Sequence, residues 1–558
     1  MKSADTTDLS HYPELLQILF RNRGITTHAD ADKFLHPSYE SLNDPFLFPD
    51  MEKACVRIYE AVEAREKVII YGDYDCDGIP GSVVLHDFFK KIGYENFEVY
   101  IPDRHGEGYG LHADAVRSLN EAGAKLIITV DLGTTAVDEV AQAGGFGIDV
   151  IITDHHIPPE VLPRGYAILN PKIGNYPYGM LCGSGVAFKL VQGLVKKYGE
   201  YWKISAGWEK WLLDMAGLGT LSDMVPLREE NRVLAYFGIK VLQKSPRPGL
   251  QKLLKKMDID QRYLAEDDIT FMITPRINAA SRMDVPMRAF ELLATTDVVE
   301  AGVLADHLAK INDERKIMVA TIMKEVHGTL EKREEKGLIV IGNPKWRAGI
   351  LGLVAGKITD TYKKPAFVWG CEGSDTIKGS CRSIEGVNMV AIMRALPENA
   401  LLSFGGHELA GGFSVTHEQI HFLEDHLLFA LSQISNSDSE IQEVEKYEAE
   451  LTLDDITIRN WQLISSLAPF GIENPKPVFH FSNIVVLNIK HFGKEKNHLA
   501  LSFKDSTGKI VKAIAFFKTS ADYPAQIEVD QKINLLASFD LSRFAGRVEL
   551  RLRIVDII

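Results

Sequence analysis

The sequence predicts a mainly parallel α/β domain, a long connecting helix, a smaller α/β domain and a C-terminal β-barrel. Between about residues 61 and 245, apolar β-branched runs alternate with amphipathic stretches, a pattern typical of βαβ units. From about 287 to 335 there is no proline, and charged residues alternate with aliphatic ones at helical spacing. After residue 447, alternating runs such as Leu499–Phe503 and Val548–Val555 indicate half-buried strands of a small barrel.

These patterns divide the chain into predicted segments. At 558 residues it is too long for one hydrophobic core. We expect a helical lead-in over residues 1–60, an α/β domain over 61–286 and a connecting helix over 287–335. A second α/β domain over 336–434 follows, then an acidic linker over 435–446 and the barrel over 447–558.

Composition sets limits on location and partners. No apolar run approaches the ~18 residues of a membrane-spanning helix, and the first residues do not resemble a signal peptide. Five scattered cysteines without a CxxC pair favour free thiols in a reducing cytoplasm. The net charge of −14 argues only slightly against a nucleic-acid partner, because residues 481–558 carry 12 Lys and Arg against 8 Asp and Glu.

Carboxylates and histidines follow the apolar strand runs. Asp73, Asp75 and Asp77 come after Val68-Ile-Ile-Tyr-Gly, Asp131 follows Leu126-Ile-Ile-Thr-Val, and Asp154-His155-His156 follows Val150-Ile-Ile-Thr. Open α/β sheets bind ligands at the carboxyl ends of their strands. Converging carboxylates would repel one another without cations, so the pattern indicates a divalent-metal site. The alternative for the first motif is an acidic turn that caps a helix. An EF-hand loop does not fit, because its twelfth position is Val84.

The two histidines are expected to have different roles. Neighbouring side chains on an extended segment point to opposite sides, so one imidazole can bind metal while the other meets substrate or a supporting carboxylate. The alternative is an exposed turn before Pro158-Pro159. Asp223, in Gly217-Leu-Gly-Thr-Leu-Ser-Asp-Met-Val-Pro226, would on its own be a cap or turn residue. The presence of the other acidic motifs in the same chain makes it a candidate ligand.

The second α/β segment carries candidate phosphate-binding turns. Gly405-Gly406-His407 and Gly411-Gly412 can present backbone N–H groups to a phosphate, although a tight packing turn is an equal alternative. Lys378-Gly-Ser380-Cys-Arg382-Ser383 is basic and rich in hydroxyls, and it suits phosphate oxygens or an exposed loop equally well.

Taken in order, these motifs resemble the DHH phosphoesterase superfamily, and within it the bacterial exonucleases specific for single-stranded DNA. The resemblance covers nearly the whole chain. Further matching segments are 44–51, 101–104, 107–110, 183–189, 218–227, 275–280 and 467–479. The resemblance implies a DHH catalytic domain over 61–286, the connecting helix over 287–335, a DHHA1 domain over 336–434 and an OB fold that binds single-stranded DNA over 447–558.

The resemblance also implies roles for individual residues. Two divalent ions, Mn²⁺ or Mg²⁺, would be held by Asp75, Asp77, Asp131, His155 and Asp223. Asp73 and His156 would orient ligands or contact the scissile phosphate. DNA phosphates, including the 5′ end, would be held by Arg104, Arg276, Ser380, Arg382 and His407. In the barrel Phe503, Phe516, Phe517 or Phe544 could stack bases, although each alone is more often a core residue.

The implied activity is metal-dependent 5′→3′ exonuclease cleavage of single-stranded DNA in repair and recombination, with a cytoplasmic location. Alternatives are a phosphodiesterase of short oligonucleotides or cyclic dinucleotides, and a catalytically weak single-strand-binding scaffold. The barrel argues against the first alternative and the intact acidic set against the second. The resemblance suggests a helicase and a single-stranded-DNA-binding protein as partners, and we expect a monomer that does not bind membranes.

The chain departs from the family pattern at three places. Arg347 stands after Trp346 where the family usually has histidine, which could change a phosphate contact without removing the metal site. Pro80 and Asp131-Leu-Gly-Thr-Thr135 also differ from the commonest residues around their motifs. All predicted metal ligands are present, so we expect an active enzyme.

Overall fold

The computed structural model describes residues 8–104, 106–372, 376–434, 447–493, 495–523, 527–543 and 548–558. Two compact units alternate along the chain. One comprises residues 45–223 and 240–441, and the other comprises residues 1–44, 224–239 and 442–558. The predicted linker 435–446 and the side chain of Phe544 lie outside the described residues.

The first unit begins with an entirely parallel five-stranded sheet, as the sequence predicts. Its strands have the order β2-β1-β3-β4-β5. They are β1 (Lys67–Gly72), β2 (Phe97–Tyr100), β3 (Ala124–Val130), β4 (Asp149–Thr153) and β5 (Ala167–Leu169). Strand residues pointing to one face form a buried cluster with residues of the helices Ala113–Glu121 and Val137–Gly145. The helices Gly78–Lys91 and Gly183–Tyr198 also pack on the sheet. Burial on both faces explains the nearly continuous apolar strand sequences.

Further helices complete this part of the first unit. They are Met51–Glu63, Leu213–Ser222, Pro248–Lys256, Thr274–Met283 and Met287–Ala294. The helix Glu229–Leu242 contains the boundary between the units at residue 239.

A helix of 33 residues, Val298–Leu330, connects the two sheets of the first unit. It begins later than the predicted residue 287, because Asp297 accepts hydrogen bonds from the N–H groups of Val299 and Glu300 and thereby caps a new helix. It packs against Thr274–Met283 and against Ala348–Tyr362. The buried residues of this second contact include Val319, Val326 and Val354.

The second sheet of this unit is mixed and has the order β6-β7-β8-β10-β9. Its strands are β6 (Ile339–Gly342), β7 (Ala366–Gly370), β8 (Ile377–Arg382), β9 (Ser403–Gly406) and β10 (Ala410–Val415). Only β6 and β7 are parallel. The helices are Ala348–Tyr362, Met389–Arg394 and Leu423–Ile434. Strand β8 is central, and it carries Ser380 and Arg382 opposite Gly412 and Ala410 of β10.

The second unit contains a seven-stranded sheet in the order β11-β12-β16-β17-β15-β14-β13. The strands are β11 (Ala449–Glu450), β12 (Phe479–Val485), β13 (Asn488–Phe492), β14 (His498–Lys504), β15 (Ile510–Ala515), β16 (Lys532–Ser542) and β17 (Glu549–Ile557). Within the described residues, β11 and β13 form open edges, so the predicted barrel is not closed by hydrogen bonds.

The N-terminal helices Glu14–Asn22 and His28–Leu35 belong to the core of this second unit. Leu16, Leu19 and Phe20 are buried in one cluster with Phe479, Phe503 and other strand residues. Arg23 donates hydrogen bonds to Glu448, to Asn474 Oδ1 and to the Pro475 carbonyl. The sequence analysis described residues 1–60 only as a lead-in and did not predict this packing.

Among the described residues, no helix is both long and apolar enough to span a membrane.

Candidate active site

The carboxyl ends of three neighbouring strands bring the predicted acids and histidines together. Asp73 follows β1, Asp131 follows β3 and His155 follows β4, and β3 lies between the other two strands. Asp223 is the C-cap of the helix Leu213–Ser222.

The distances between these side chains are short. His155 Nε2 lies 3.1 Å from Asp131 Oδ1, 3.7 Å from Asp223 Oδ2 and 3.9 Å from Asp77 Oδ2. Asp73, Asp75 and Asp131 each offer an oxygen within 4.8 Å of the other two. The structure therefore brings all five predicted metal ligands, together with Asp73, into one cluster.

The backbone holds the Asp75 and Asp77 carboxylates in place. The N–H groups of Gly183 and Ser184, at the start of a helix, donate to Asp77 at 2.6 and 2.8 Å. Asp75 Oδ1 accepts from the Asp77 N–H at 2.8 Å. The N–H of Cys76 donates to Asn278 Oδ1 at 2.8 Å, which fixes the acidic loop against the helix Thr274–Met283. These bonds orient the acids before any ligand binds.

Within the described residues, two buried carboxylate oxygens of the cluster accept no hydrogen bond, although His155 Nε2 lies close to one of them. They are Asp73 Oδ1 and Asp131 Oδ1, and both side chains belong to residues only 3% exposed. Burial, followed by repulsion from neighbouring carboxylates, raises the pKa of both Asp73 and Asp131 well above the usual value. Burial and then Asp77 raise the pKa of Asp223 to about 9. Crowded, unpartnered oxygens are costly alone and are the hard ligands that Mn²⁺ and Mg²⁺ accept, so the residues fit divalent cations.

The two histidines differ, as the sequence analysis expected. Burial lowers the pKa of His155 to about 4, which keeps the imidazole neutral and able to act as a metal ligand. His156 Nδ1 instead lies 2.7 Å from Asp154 Oδ1. Burial would lower the pKa of His156, but the contact with Asp154 more than offsets this effect and raises it.

Asp154 holds the backbone of the two histidines through hydrogen bonds. It is 1% exposed, its Oδ1 accepts from the N–H groups of His155 and His156, and its Oδ2 accepts from the Thr134 N–H. Asn170 Nδ2 donates to the His156 carbonyl at 2.9 Å. Both residues therefore position the histidine turn; the sequence analysis had counted Asp154 only as an acid of the motif and had not identified Asn170.

Glycines allow helices to approach the acids closely. A Cβ added at Gly183 would lie 2.6 Å from Asp131 Oδ1, and one added at Gly219 would lie 2.5 Å from Asp77 Oδ1. Any larger residue would push into a carboxylate. Asp131 itself has a φ of 63°, a left-handed conformation that costs a non-glycine residue about 1–3 kcal/mol and is found mainly at functional sites.

A cavity of about 1140 Å³ opens beside this cluster and extends to the second sheet. It is lined by the predicted residues Asp73, Asp75, Arg104, Asp131, His155, His156, Asp223, Ser380, Arg382 and His407. Asp77 lies beneath its floor, against His155. Arg276 does not line the cavity, and its Nη1 donates to the Met272 carbonyl while its buried Nε has no partner.

The sequence analysis missed Arg282, which lies on the cavity wall. Its Nη1 donates to the Gly349 carbonyl at 3.2 Å. Burial, and then Arg104, Arg315 and Arg382, lowers the pKa of this guanidinium, which shows how much positive charge is concentrated here. Arg282 follows Asn278, which also lines the cavity, by four residues and so shares its helix face, but only the structure shows that this face meets the cavity.

Two tyrosines lie beside the acids. The hydroxyl of Tyr109 is 3.3 Å from the ring nitrogens of His156, and its ring packs edge-on against Tyr74. The guanidinium of Arg104 lies over the Tyr74 ring at 5.1 Å. This side of the cavity therefore offers aromatic surface next to charge.

The departures from the family pattern leave the metal cluster intact. Pro80 lies in the first turn of the helix Gly78–Lys91, where no N–H is needed. Within the unusual 131–135 segment, the N–H of Thr134 supports Asp154. Arg347 lies on the cavity wall, where its Nε is 3.1 Å from Glu372 Oε2.

Comparisons with known proteins agree with this architecture. The chain matches the DHH family N-terminal domain over residues 67–220, the DHHA1 domain over 334–432 and the RecJ OB domain over 447–556. The single-stranded-DNA-specific exonuclease RecJ of Bacillus subtilis is 34% identical over 563 residues, which cover 100% of this chain and 69% of that protein.

The chain belongs to the RecJ family. The OB fold inferred for the C-terminal strands is thereby confirmed, as are the DHH and DHHA1 parts of the predicted fold.

Two solved structures are similar to this chain. RecJ from Thermus thermophilus in complex with Mn²⁺ has a TM-score of 0.79 at 24% identity and covers 97% of this chain and 75% of that one. An exonuclease RecJ bound to manganese has a TM-score of 0.62 at 28% identity and covers 72% of this chain and 99% of that one. The RecJ family therefore includes proteins solved with manganese, and this chain has acids and a histidine positioned for such an ion.

Proposed function

We propose that this chain is a metal-dependent 5′→3′ exonuclease that hydrolyses single-stranded DNA to 5′-mononucleotides in repair and recombination. The observation that carries the proposal is one cavity that contains both the acidic cluster and several guanidinium groups. Such a cavity can hold a strand by its phosphates and place one phosphodiester at the acids. Membership of a family of single-stranded-DNA-specific exonucleases supports the choice of substrate.

Two divalent ions, Mn²⁺ or Mg²⁺, would be held by Asp75, Asp77, Asp131, His155 and Asp223. Bound ions of this kind lower the pKa of a water nucleophile and neutralise charge on the phosphoryl oxygens. The unpartnered oxygen of Asp131 and the neutral His155 support this ligand set.

His156 and Asp73 would act on the reacting groups. Asp154 holds His156 by Nδ1, which leaves Nε2 to donate to an oxygen of the scissile phosphate. Asp73 Oδ1 has no hydrogen-bond partner among the described residues and would accept a hydrogen bond from the attacking water. Both atoms would then be oriented before the substrate arrives.

The guanidinium groups would hold the strand and set its polarity. With the terminal 5′ phosphate at Ser380 and Arg382 and the next phosphodiester at the acids, cleavage releases the 5′ nucleotide. Arg104 and His407 would hold further oxygens of the same segment, since both line the cavity. Planar guanidinium groups match phosphate oxygens well. Arg276 remains a candidate for a phosphate outside this cavity.

In the OB fold, Phe516 and Phe517 are the candidates for base stacking. Phe517 is 79% exposed, and Arg553 lies 4.4 Å from the centre of the Phe516 ring. Phe503 is fully buried in the core, which supports a packing role for it. Exposed aromatic rings beside a cation are typical of sequence-tolerant single-strand binding.

The proposal also assigns a role to each segment of the chain. Residues 61–286 would carry the catalysis, 287–335 would connect the domains, 336–434 would hold phosphates and 447–558 would bind the strand, with 1–60 as the lead-in. We also propose that the protein is a cytoplasmic monomer that works with a helicase and a single-stranded-DNA-binding protein. The RecJ relatives support this proposal because they are DNA-processing enzymes.

The test uses purified protein, Mn²⁺ and 3′-labelled oligonucleotides. The substrates are a free single strand, the same strand blocked at its 5′ end, a blunt duplex and a dinucleotide. Stepwise shortening of the free single strand alone is the expected result. If only the dinucleotide is cleaved, the proposal is wrong and the protein is a phosphodiesterase of short substrates. Tight binding without cleavage would replace it by a scaffold protein.

A further inference from the structure

The guanidinium groups on the cavity wall differ in their partners. Arg104 lies over Tyr74, Arg382 donates to Ser380 Oγ and a carbonyl, and Arg282 donates to the Gly349 carbonyl. None of these three has a carboxylate oxygen within 4.0 Å among the described residues. Arg347 does, because its Nε is 3.1 Å from Glu372 Oε2. One cation of the wall is therefore already paired with an anion of the protein.

The backbone of Arg347 is fixed, and only its side chain can exchange partners. The preceding Trp346 is 6% exposed, and its indole N–H donates to Glu325 of the connecting helix at 3.1 Å. The helix Ala348–Tyr362 begins directly after Arg347. The Arg347 side chain is 31% exposed and that of Glu372 is 52% exposed, so their ion pair is of the weak, solvent-screened kind.

The position of Arg347 places it beside the phosphate candidates. The first turn of the helix that follows it contacts Arg282 through the Gly349 carbonyl. A Cβ at Gly352, one turn further, would lie 3.1 Å from Ser380 Oγ and 3.2 Å from Arg382 Nη2. Within the described part of the wall from residue 347 onward, Glu372 is the only carboxylate, whereas Arg347, Lys378, Arg382 and His407 also line it.

We propose that Glu372 and a phosphate of the DNA compete for Arg347, so that this ion pair sets how tightly the wall holds a strand. The inference rests on the proposed function, because it takes the ligand of the cavity to be DNA. In the free protein Glu372 holds Arg347. When a strand binds, Arg347 turns to a phosphate oxygen and Glu372 turns to solvent. A charge-assisted contact between guanidinium and phosphate is stronger than an exposed ion pair, which makes the exchange favourable.

The test is a double-mutant cycle read by fluorescence anisotropy. A 3′-labelled oligothymidine with a 5′ phosphate is titrated with metal-free protein in EDTA over a range of salt concentrations. Removing the competing charge with Glu372→Gln should tighten binding about two- to fivefold. Arg347→Gln should weaken binding and make the slope of log K against log salt shallower by about 0.7, the value for one phosphate contact on a single strand.

The double variant decides the mechanism. If Glu372 acts through Arg347, the double variant binds like Arg347→Gln alone. If Glu372→Gln tightens binding equally in both backgrounds, or has no effect, the competition does not exist. The matched control is Glu335→Gln, which removes the same charge from an exposed ion pair with Lys364 and should leave binding unchanged.

Nuclease assays on the same proteins separate this inference from the proposed function. An inactive wild type with the predicted binding cycle would overturn the exonuclease but keep the competition. A wild type that is active but lacks the predicted binding cycle would keep the exonuclease and overturn the competition.

Discussion

The Nε2 atom of His155 lies 3.1 Å from Oδ1 of Asp131, although 24 residues separate them in the chain. The register of β3 and β4 produces this contact, because Val130 pairs with Thr153 just before the two functional turns. The ends of both strands therefore contribute candidate metal ligands, and changes at either end can be tested separately.

Asp131→Asn should abolish turnover while single-strand binding persists. Asparagine keeps the size of the side chain and tolerates the left-handed backbone of Asp131, so the fold should be retained. Loss of a metal-binding carboxylate should lower kcat by about 1,000-fold, equivalent to ~4 kcal/mol. Single-turnover assays in Mn²⁺ and anisotropy titrations check this. Asp114→Asn, at an exposed ion pair with Arg117, is the control. Normal kcat in Asp131→Asn would refute the site.

Gly183→Ala should weaken metal binding without changing any ligand. The added Cβ would lie 2.6 Å from Asp131 Oδ1, so the carboxylate must shift. We expect the Mn²⁺ concentration for half-maximal activity to rise about tenfold or more, the range seen when ligand orientation is disturbed. Gly144→Ala, with nothing within 4 Å of the added Cβ, should leave it unchanged. An equal Mn²⁺ requirement in both variants would contradict the argument.

Mn²⁺ should stabilise the protein through the acidic cluster. A cation that binds only the folded state at 100 times its Kd adds about 2.7 kcal/mol. Scanning calorimetry should show a higher Tm with Mn²⁺ than with EDTA for the wild type and for Asp114→Asn. The rise should be much smaller for Asp223→Asn, which removes one of the oxygens near His155. A full rise in that variant would remove Asp223 from the ligand set.

Arg247→Met should destabilise the first unit. Arg247 Nε lies 2.7 Å from Asp214 Oδ2, and Nη2 lies 2.7 Å from Asp87 Oδ2. Removing one partner of a buried ion pair costs about 3–5 kcal/mol, because the remaining charges stay buried. In Arg247→Met, the thermal unfolding transition of the first unit should occur at a lower temperature than in the wild type. Arg117→Met, at the exposed ion pair, should change this temperature little.

The contribution of Asp87 to the stability of the folded protein should decrease at acid pH. Burial would raise the pKa of Asp87, but Arg247 and His86 more than offset this effect and lower it below 3.8. Its contribution to stability is therefore complete above pH 3.8 and is lost as the pH falls through the lower folded-state pKa. The gap in Tm between the wild type and Arg247→Met should narrow in that acid range. A gap that widened there would contradict this assignment.

Arg23→Met should release the N-terminal helices from the second unit. The side chain of Arg23 is 5% exposed and bridges Glu448, Asn474 and Pro475. Hydrogen exchange should become faster in the helices Glu14–Asn22 and His28–Leu35, while β3 of the first unit should keep its protection. Arg21→Met, on the exposed side of the same helix, is the control.

The acids after β1 and β3 and the histidines after β4 could be predicted from sequence because they follow apolar strand runs, and parallel strands end at one edge, whereas Asp223 caps a helix and has no such local signal. The backbone around them could not. The left-handed conformation of Asp131 and the packing of Gly183 and Gly219 depend on helices that are distant in sequence. Two arginines, Arg276 and Arg282, lie on one helix, and only the tertiary packing shows which of them lines the cavity.

The place of the first residues was not predictable for a related reason. The periodicity of Leu16, Leu19 and Phe20 indicates an amphipathic helix but not what covers it. Its cover is supplied by strands near the other end of the chain, such as β12 and β14. Local sequence carries no signal for contacts of that separation.

The packing of the helix Glu14–Asn22 against these strands also determines which parts of the protein can fold first during synthesis. The helix Glu14–Asn22 leaves the ribosome before the first unit is made, whereas the strands that bury Leu19 and Phe20 are made after it. The first unit can form in the interval, since its strands and helices lie between these two points in the chain. A nascent chain therefore carries an uncovered apolar helix until β12 and β14 have been made, and ribosomes stalled before β12 should display a chaperone-binding site that the folded protein lacks.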